Sequence, residues 1–342
     1  MTQRQPIDRR RFLATAGAML GAPALAGFMP EPIERGGPSL GPALRSAPTS
    51  RNPWRELGAI QAEASRLGLS TPHMSAGIVG GTEFDEVMPS VVEFLDSLEA
   101  SARETGEVSP EADALIQRTA ELLQRITAEE RMPRQDREPG TGLAATSARP
   151  KLDDLRQGYL DLFATCQIRE ANRSTVNWYA GQLKSETSRA RYAEVANAVC
   201  VPWYFVGIIH AMEASFNFRA HLHNGDPLSR RTIQVPAGRP PVWNPPSDWA
   251  ASAIDAIRYD GFADQSDWSL AATLYRWEAY NGWRSRTLHS INTPYLWSFS
   301  NHYTKGKYVR DNVWDANAVS KQCGAAVMLK VLLSEGLIPI AS

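Results

Sequence analysis

Glu213 closes an apolar run, Val201–Phe218 (VPWYFVGIIHAMEASFNF), in which only His210 could also carry a charge. A carboxyl at the mouth of such a segment is poorly solvated when ionised. Its pKa should rise, and it can hold a proton near neutral pH. A protonated carboxyl is the general acid that glycosidic-bond cleavage needs. The bland alternative is a Glu that flanks a core helix and does no chemistry. Glu278, in Arg276-Trp-Glu-Ala-Tyr-Asn-Gly282, is the candidate second carboxylate. Its alternative is a local ion pair with Arg276 or a neighbouring arginine.

Two further groups have chemical content. His221 and His223 alternate, but their spacing lacks the compact ligand pattern and acidic second partners of a zinc site. His223 therefore reads as a hydrogen-bond donor beside a sugar, and no metal or other cofactor is expected. The run Asn292–Tyr303 (NTPYLWSFSNHY) interleaves aromatics with hydroxyls and amides. Rings of that kind stack on pyranose faces while amides bind N-acetyl groups. Trp297 and Tyr303 are the candidates, although some aromatics of this run must be core.

The elements that would position these groups are mostly helical. Pro202 suits the first turn of a helix, and a helix apolar all round is buried. Helical spacing recurs in Trp54, Leu57, Ile60, Ala64 and Leu67, and again in Phe84, Val87, Val91, Leu95 and Leu98. A third helix opens at Ser109-Pro110 and runs to near Ile126. Residues 51–130 thus form a small helical module, docking on the main domain or on a partner. Residues 131–150, charged and then rich in Gly, Thr, Ser and Pro, read as a linker. From 151 to 342 the pattern predicts a helix near 152–166, one spanning 174–198, and the buried Glu213 helix. After them come a helix capped by Ser247 and ended by Gly261, one stopped at Asn281-Gly282, and a last one from about 317 to 333. Between the Glu213 helix and the one capped by Ser247, His221–Trp243 combines strong turn chemistry at Asn224-Gly-Asp-Pro227 with a β-prone run, Thr232–Val235. A small β-hairpin is expected there.

The residues after Glu213 carry a resemblance. Glu213-Ala-Ser-Phe-Asn looks like the E-S-x-F-N signature of lytic transglycosylases and goose-type lysozymes, in which the Glu is the catalytic acid. In phage-type lysozymes an Asp in the following hairpin, with a Thr six positions on, holds the attacking water; Asp226 and Thr232 have that spacing. The loop from Glu213 to Asp226 is longer than in that family, and an Asx-turn role for Asp226 stays open. Glu278-Ala-Tyr-Asn-Gly resembles the A-Y-N-A-G segment of transglycosylases, which implies that Tyr280, with Asn281, contacts substrate or that Tyr280 hydrogen-bonds Glu213; the alternative is a helix C-cap with Tyr280 packed inward. From about Val201 to Leu333 the chain is similar to a largely uncharacterised bacterial family described as peptidoglycan-binding or lysozyme-like, through HLHNGDPL, VPAGRPP, YNGWRSR, NTPYLWSFSNHYTKGKYV and SKQCGAAVMLK. The resemblance implies a lysozyme-like α+β domain, mainly helical, acting on peptidoglycan glycan strands. Two other functions stay open: a glycan-binding protein without turnover, and a glycosidase of chitin or chitosan.

The N-terminus, with Arg9-Arg10-Arg11-Phe-Leu followed by an Ala/Gly-rich stretch and Ala24-Leu-Ala26, matches a twin-arginine export signal over 1–26. Residues 27–50 read as a flexible tether. The expected location is the periplasm or outside the cell, with no membrane span in the mature protein. Removing 1–26 takes away four arginines and one aspartate, so the formal charge falls from −1 to −4. Such an acidic balance gives no support for nucleic-acid binding. Cys166, Cys200 and Cys323 allow one disulfide and one thiol, or three buried thiols.

Overall fold

The computed structural model describes residues 53–72, 84–104, 106–128, 130–134, 149–244, 248–310 and 312–340. The export signal, the tether, Ser247 and most of the 131–150 stretch lie outside the described residues. Three helices come first: α1 (Pro53–Arg66), α2 (Phe84–Glu104) and α3 (Pro110–Ala128). Their apolar stripes face one another and bury Trp54, Leu57, Ile60, Val91, Leu95, Leu98, Leu115 and Leu122. Ser109 caps α3 by accepting from the Ala112 N–H at 3.2 Å.

The chain then forms α4 (Leu152–Thr165), α5 (Arg173–Lys184), α6 (Glu186–Val199), α7 (Trp203–Ala214), α8 (Trp249–Tyr259), α9 (Leu270–Asn281), α10 (Arg284–His289), α11 (Pro294–Trp297) and α12 (Ala325–Ser334). Helix α7 is the central element, buried along its length from Tyr204 to Ala214. At Gly207 it lies so close to α6 that a Cβ would stand 2.9 Å from the Tyr192 ring. The single helix expected over 174–198 is two, because Ser185 leaves helical geometry and its hydroxyl accepts from the Ser188 N–H to start α6. Asp248, not Ser247, caps α8, taking the N–H groups of Ala250 and Ala251. The last helix starts at Ala325 rather than near 317. Gly324, packed with its Cα against the Leu296 backbone, sets that start: a Cβ there would lie 2.3 Å from the Leu296 carbonyl oxygen.

A small hairpin exists, but not where the sequence suggests it. Strands β1 (Lys307–Arg310) and β2 (Val313–Asp315) pair antiparallel. The 221–243 stretch contains no strand and only one isolated bridge, Ala220 with Pro227. Its turns are held by side chains instead, and prolines 236 and 240 follow cis peptide bonds.

The described residues fall within one compact unit, Ser50–Ser342. The first three helices pack on the rest of the chain through ion pairs and hydrogen bonds. Arg219 bridges Glu99 and Asp113 at 3.2 and 2.9 Å, and Trp178 donates to Glu93 at 3.0 Å. Among the described residues no single helix is long and apolar enough to cross a membrane. None of the three cysteines is in a disulfide; Cys166 and Cys323 are buried and Cys200 is exposed.

Candidate functional site

The apolar character of α7 fixes the setting of Glu213. Its carboxyl, only 2% exposed, sits in the last turn of a helix with no other acidic residue. Beyond Ala214 the chain turns through two consecutive left-handed residues, Ser215 (φ 49°) and Phe216 (φ 63°). That conformation costs of order 1–3 kcal/mol at a non-glycine position and collects at functional sites. The Gln322 amide closes the helix end by donating to the Met212 carbonyl at 2.9 Å.

Around the carboxyl stand groups from four distant stretches. Tyr295 on α11 donates its hydroxyl to Glu213 Oε1 at 3.0 Å. Arg131 and Arg134, from the segment after α3, bring positive charge towards it. Arg134 is itself ion-paired to Asp260 at 2.9 Å, with both side chains 4% exposed. Its guanidinium lies 3.7 Å from the centre of the Tyr280 ring. Burial pushes the Glu213 carboxyl up from its ordinary value to about 7, and Arg134, the Tyr295 hydroxyl and Arg131 pull back only part of that shift. The site thus holds a proton close to neutral pH.

Gly225 makes the geometry possible. With φ of +70°, it passes between the Glu213 backbone and Arg131: a Cβ there would lie 2.3 Å from the Glu213 carbonyl oxygen and 2.6 Å from Arg131 Nη1. Gly225→Ala should lower stability by more than about 1 kcal/mol, from the left-handed backbone alone. Urea titration would check this, and a stability loss below that value would show that the close approach is not enforced.

The structure separates the other candidates. Asp226 is 1% exposed, and its Oδ2 accepts from the backbone N–H groups of Ile233 (2.7 Å) and Gln234 (2.8 Å) and from the Asn224 amide. Thr232 accepts from the Arg239 N–H at 2.8 Å and donates to the Pro236 carbonyl. Both residues staple the 221–239 loop to itself, and the Asx turn here belongs to Asn224, whose Oδ1 accepts from the Asp226 N–H at 3.0 Å, rather than to Asp226. Glu278 is fully buried in an ion pair with Arg286 (2.7 Å) and accepts from the Tyr159 hydroxyl at 2.6 Å. The partner is Arg286, because Arg276 points to the Asp267 carbonyl. His223, fully buried, meets Asp255 Oδ2 at 2.8 Å, and His221 bridges Ser252 and the Arg230 carbonyl at 2.7 Å each. Among the described residues no three His, Cys, Asp or Glu side chains gather as a metal site would require.

Tyr280 (3% exposed) and Asn281 (1%) are packed inward, Tyr280 against Arg134, one of the groups that face Glu213. Together with Arg134, Arg149, Asp260 and Phe262 they line a polar cavity of about 50 Å³. The Tyr280 hydroxyl donates to the Leu222 carbonyl at 2.8 Å, and the Asn281 amide reaches the Pro133 carbonyl at 3.4 Å.

Trp297 and Tyr303 are not on a surface. Trp297 is 0% exposed and Tyr303 3%, with the Tyr303 hydroxyl held between the Gly306 carbonyl (3.2 Å) and the Ser320 N–H (3.1 Å). A ring enclosed by protein cannot stack on a sugar, so this part of the aromatic run is core. Trp297→Ala should cost about 3–5 kcal/mol, as emptied aromatic core sites do. Denaturant titration checks the cost, and a stable variant with weakened glycan binding would restore the stacking role. A wider surface groove of about 270 Å³, lined by Pro240, Pro241, Trp243 and Ile254 among others, carries the more accessible Trp243.

Sequence reasoning missed Tyr295, Arg131, Arg134 and Asp260. Tyr295 sat within the aromatic run, but nothing in its spacing tied it to residue 213. The two arginines lay in a stretch whose composition reads as linker.

No family model, curated protein or solved structure matches this chain. What the site can do therefore rests on its own geometry: a protonatable buried carboxyl, a tyrosine hydroxyl on one oxygen, and two guanidiniums nearby.

Proposed function

We propose that the chain is a peptidoglycan glycosidase of lysozyme-like type, exported to the periplasm or beyond, with Glu213 as its general acid. The observation that carries this reading is the buried Glu213 carboxyl, raised to about 7 and hydrogen-bonded by Tyr295. A group of that pKa gives its proton to the glycosidic oxygen at neutral pH and leaves as a carboxylate.

The partners of Asp226, Thr232 and Glu278 favour a one-carboxylate route. Asp226 is committed to loop amides and Glu278 to Arg286 and Tyr159. Neither of these two acids is then placed to activate a water, as the second member of an inverting pair would. Glu213 protonates the leaving oxygen, the anomeric carbon becomes electron-poor, and the Glu213 carboxylate takes the proton of an internal hydroxyl that closes on that carbon. The product is an anhydro sugar, as from a lytic transglycosylase. Incubation of the mature protein with peptidoglycan sacculi, followed by mass spectrometry, tests the reading. Anhydro-muropeptides support it, reducing-end products point to a hydrolase, and release from chitin alone points to a different substrate. A second reading, a glycan-binding protein without turnover, is favoured by the 2% exposure of Glu213. Sacculus binding with no released product would select it.

A further inference from the structure

Residues 130–134, beyond the end of α3, bring Arg131 and Arg134 towards Glu213 and are tied to the elements around it, and α3 itself is anchored close by. Gln124 donates to the Gly225 carbonyl at 2.9 Å. Glu130 pairs with Lys307 of β1 at 2.7 Å, with side-chain exposures of 17% and 6%. Arg131 donates to the Asn224 carbonyl. Pro133 offers its carbonyl to Asn281 at the end of α9, and Arg134 pairs with Asp260 after α8. Met132, in the middle of the stretch, is itself buried in the core.

No polymer can reach a carboxyl that is 2% exposed, and Arg131 and Arg134 of this stretch are among the groups that face it. Apart from Met132, the anchors of the stretch are hydrogen bonds and ion pairs, which water or a competing polar ligand can replace. Contacts of that polar kind between parts of one chain normally permit relative motion, and local opening free energies well below the global one are general. We propose that residues 130–134 form an autoinhibitory strap that shuts Glu213 away from glycan and must lift before the acid can act. What the strap regulates rests on the glycosidase reading; that it is a liftable cover does not.

The test reverses one anchor in the full chain and then restores it. Glu130→Lys sets a second cation against Lys307, and Glu130→Lys with Lys307→Glu rebuilds the pair in the opposite sense. Lys307→Gln, which removes the pair without repulsion, serves if Glu130→Lys does not fold. The first readout is labelling of the Glu213 carboxyl by a water-soluble carbodiimide with an added amine, followed by peptide mass spectrometry. Labelling should rise at least about tenfold in the broken-pair variant, since like charges in contact are strongly unfavourable, and return towards wild type in the exchanged pair. Unchanged labelling in a folded variant overturns the proposal. The second readout is muropeptide release. It should rise with labelling; release that falls while labelling rises would make the strap part of the working site and overturn autoinhibition. If neither wild type nor variant releases product, the glycosidase reading fails, and the labelling result still decides the cover.

Discussion

Glu213→Gln should reduce peptidoglycan turnover by about 10²–10⁴-fold, the usual contribution of general acid catalysis. The amide keeps the shape of the side chain and can still accept from the Tyr295 hydroxyl, which in the wild type meets Oε1 at 3.0 Å. What it lacks is the proton. Glycan affinity should persist, so the loss should appear in kcat. In the wild type, turnover should decline with rising pH as Glu213 ionises, which in the seated, buried state happens at about 7. Retention of more than about a tenth of wild-type activity, well short of the general-acid range, would remove Glu213 from the acid role.

The same substitution carries a signed effect on stability. The carboxyl ionises near its ordinary value of 4.5 in the unfolded chain but at about 7 in the fold. Between those pH values the folded state binds more protons than the unfolded state, so wild-type stability falls as pH rises through that window. Below it there is no penalty, and above it the penalty is complete, of order 3 kcal/mol from the size of the shift. Glu213→Gln cannot incur it. The variant should match the wild type near pH 4.5 and exceed it increasingly towards pH 7, with a constant gap above. Thermal melts across that range would measure the gap, and a gap independent of pH would mean that Glu213 is not the titrating group.

The second large effect is expected at Arg286→Ala. Glu278 is fully buried and takes three hydrogen bonds, from Arg286 Nε (2.8 Å), Arg286 Nη2 (2.7 Å) and the Tyr159 hydroxyl (2.6 Å). Removing Arg286 leaves a carboxylate in the core with only the tyrosine. Breaking one side of a buried pair typically costs about 3–5 kcal/mol, because the remaining charge is uncompensated. Replacing both partners with apolar residues of similar volume, Glu278→Leu with Arg286→Met, should recover most of the loss. Urea titrations of the single and double variants make the comparison. A cost under about 1 kcal/mol for Arg286→Ala, the size of an exposed pair, would reopen Glu278 to a role other than holding α9 and α10 together.

Much of the helical layout can be read along the chain. The period of Trp54, Leu57, Ile60 and Ala64 matches α1 and its buried stripe, and Ser109-Pro110 opens α3 where the capping chemistry says. The continuous apolar run predicts a buried α7, and Gly282, with φ of 114°, follows the end of α9 as expected. These features depend on residues within a few positions of one another, so their physics is written locally. The misread elements are those where a distant contact overrides a local tendency. The β-prone Thr232–Val235 is not a strand because the Asp226 carboxylate takes the N–H groups of Ile233 and Gln234 that a ladder would use. Helix α12 waits until Ala325 because Gly324 must lie against Leu296.

The site divides in the same way. The sequence by itself determines that Glu213 is a lone carboxyl on an apolar helix and that its pKa must rise, since desolvation follows from the composition of α7 alone. Only the tertiary structure decides what surrounds it. Tyr295 arrives from 82 residues downstream, and Arg131 lies as far upstream. Trp297 and Tyr303 turn inward, and Glu278 is claimed by Arg286. Burial is a property of a segment, and periodicity reports it. Pairing is a property of two segments brought together by packing, and neither segment's sequence carries a record of the other.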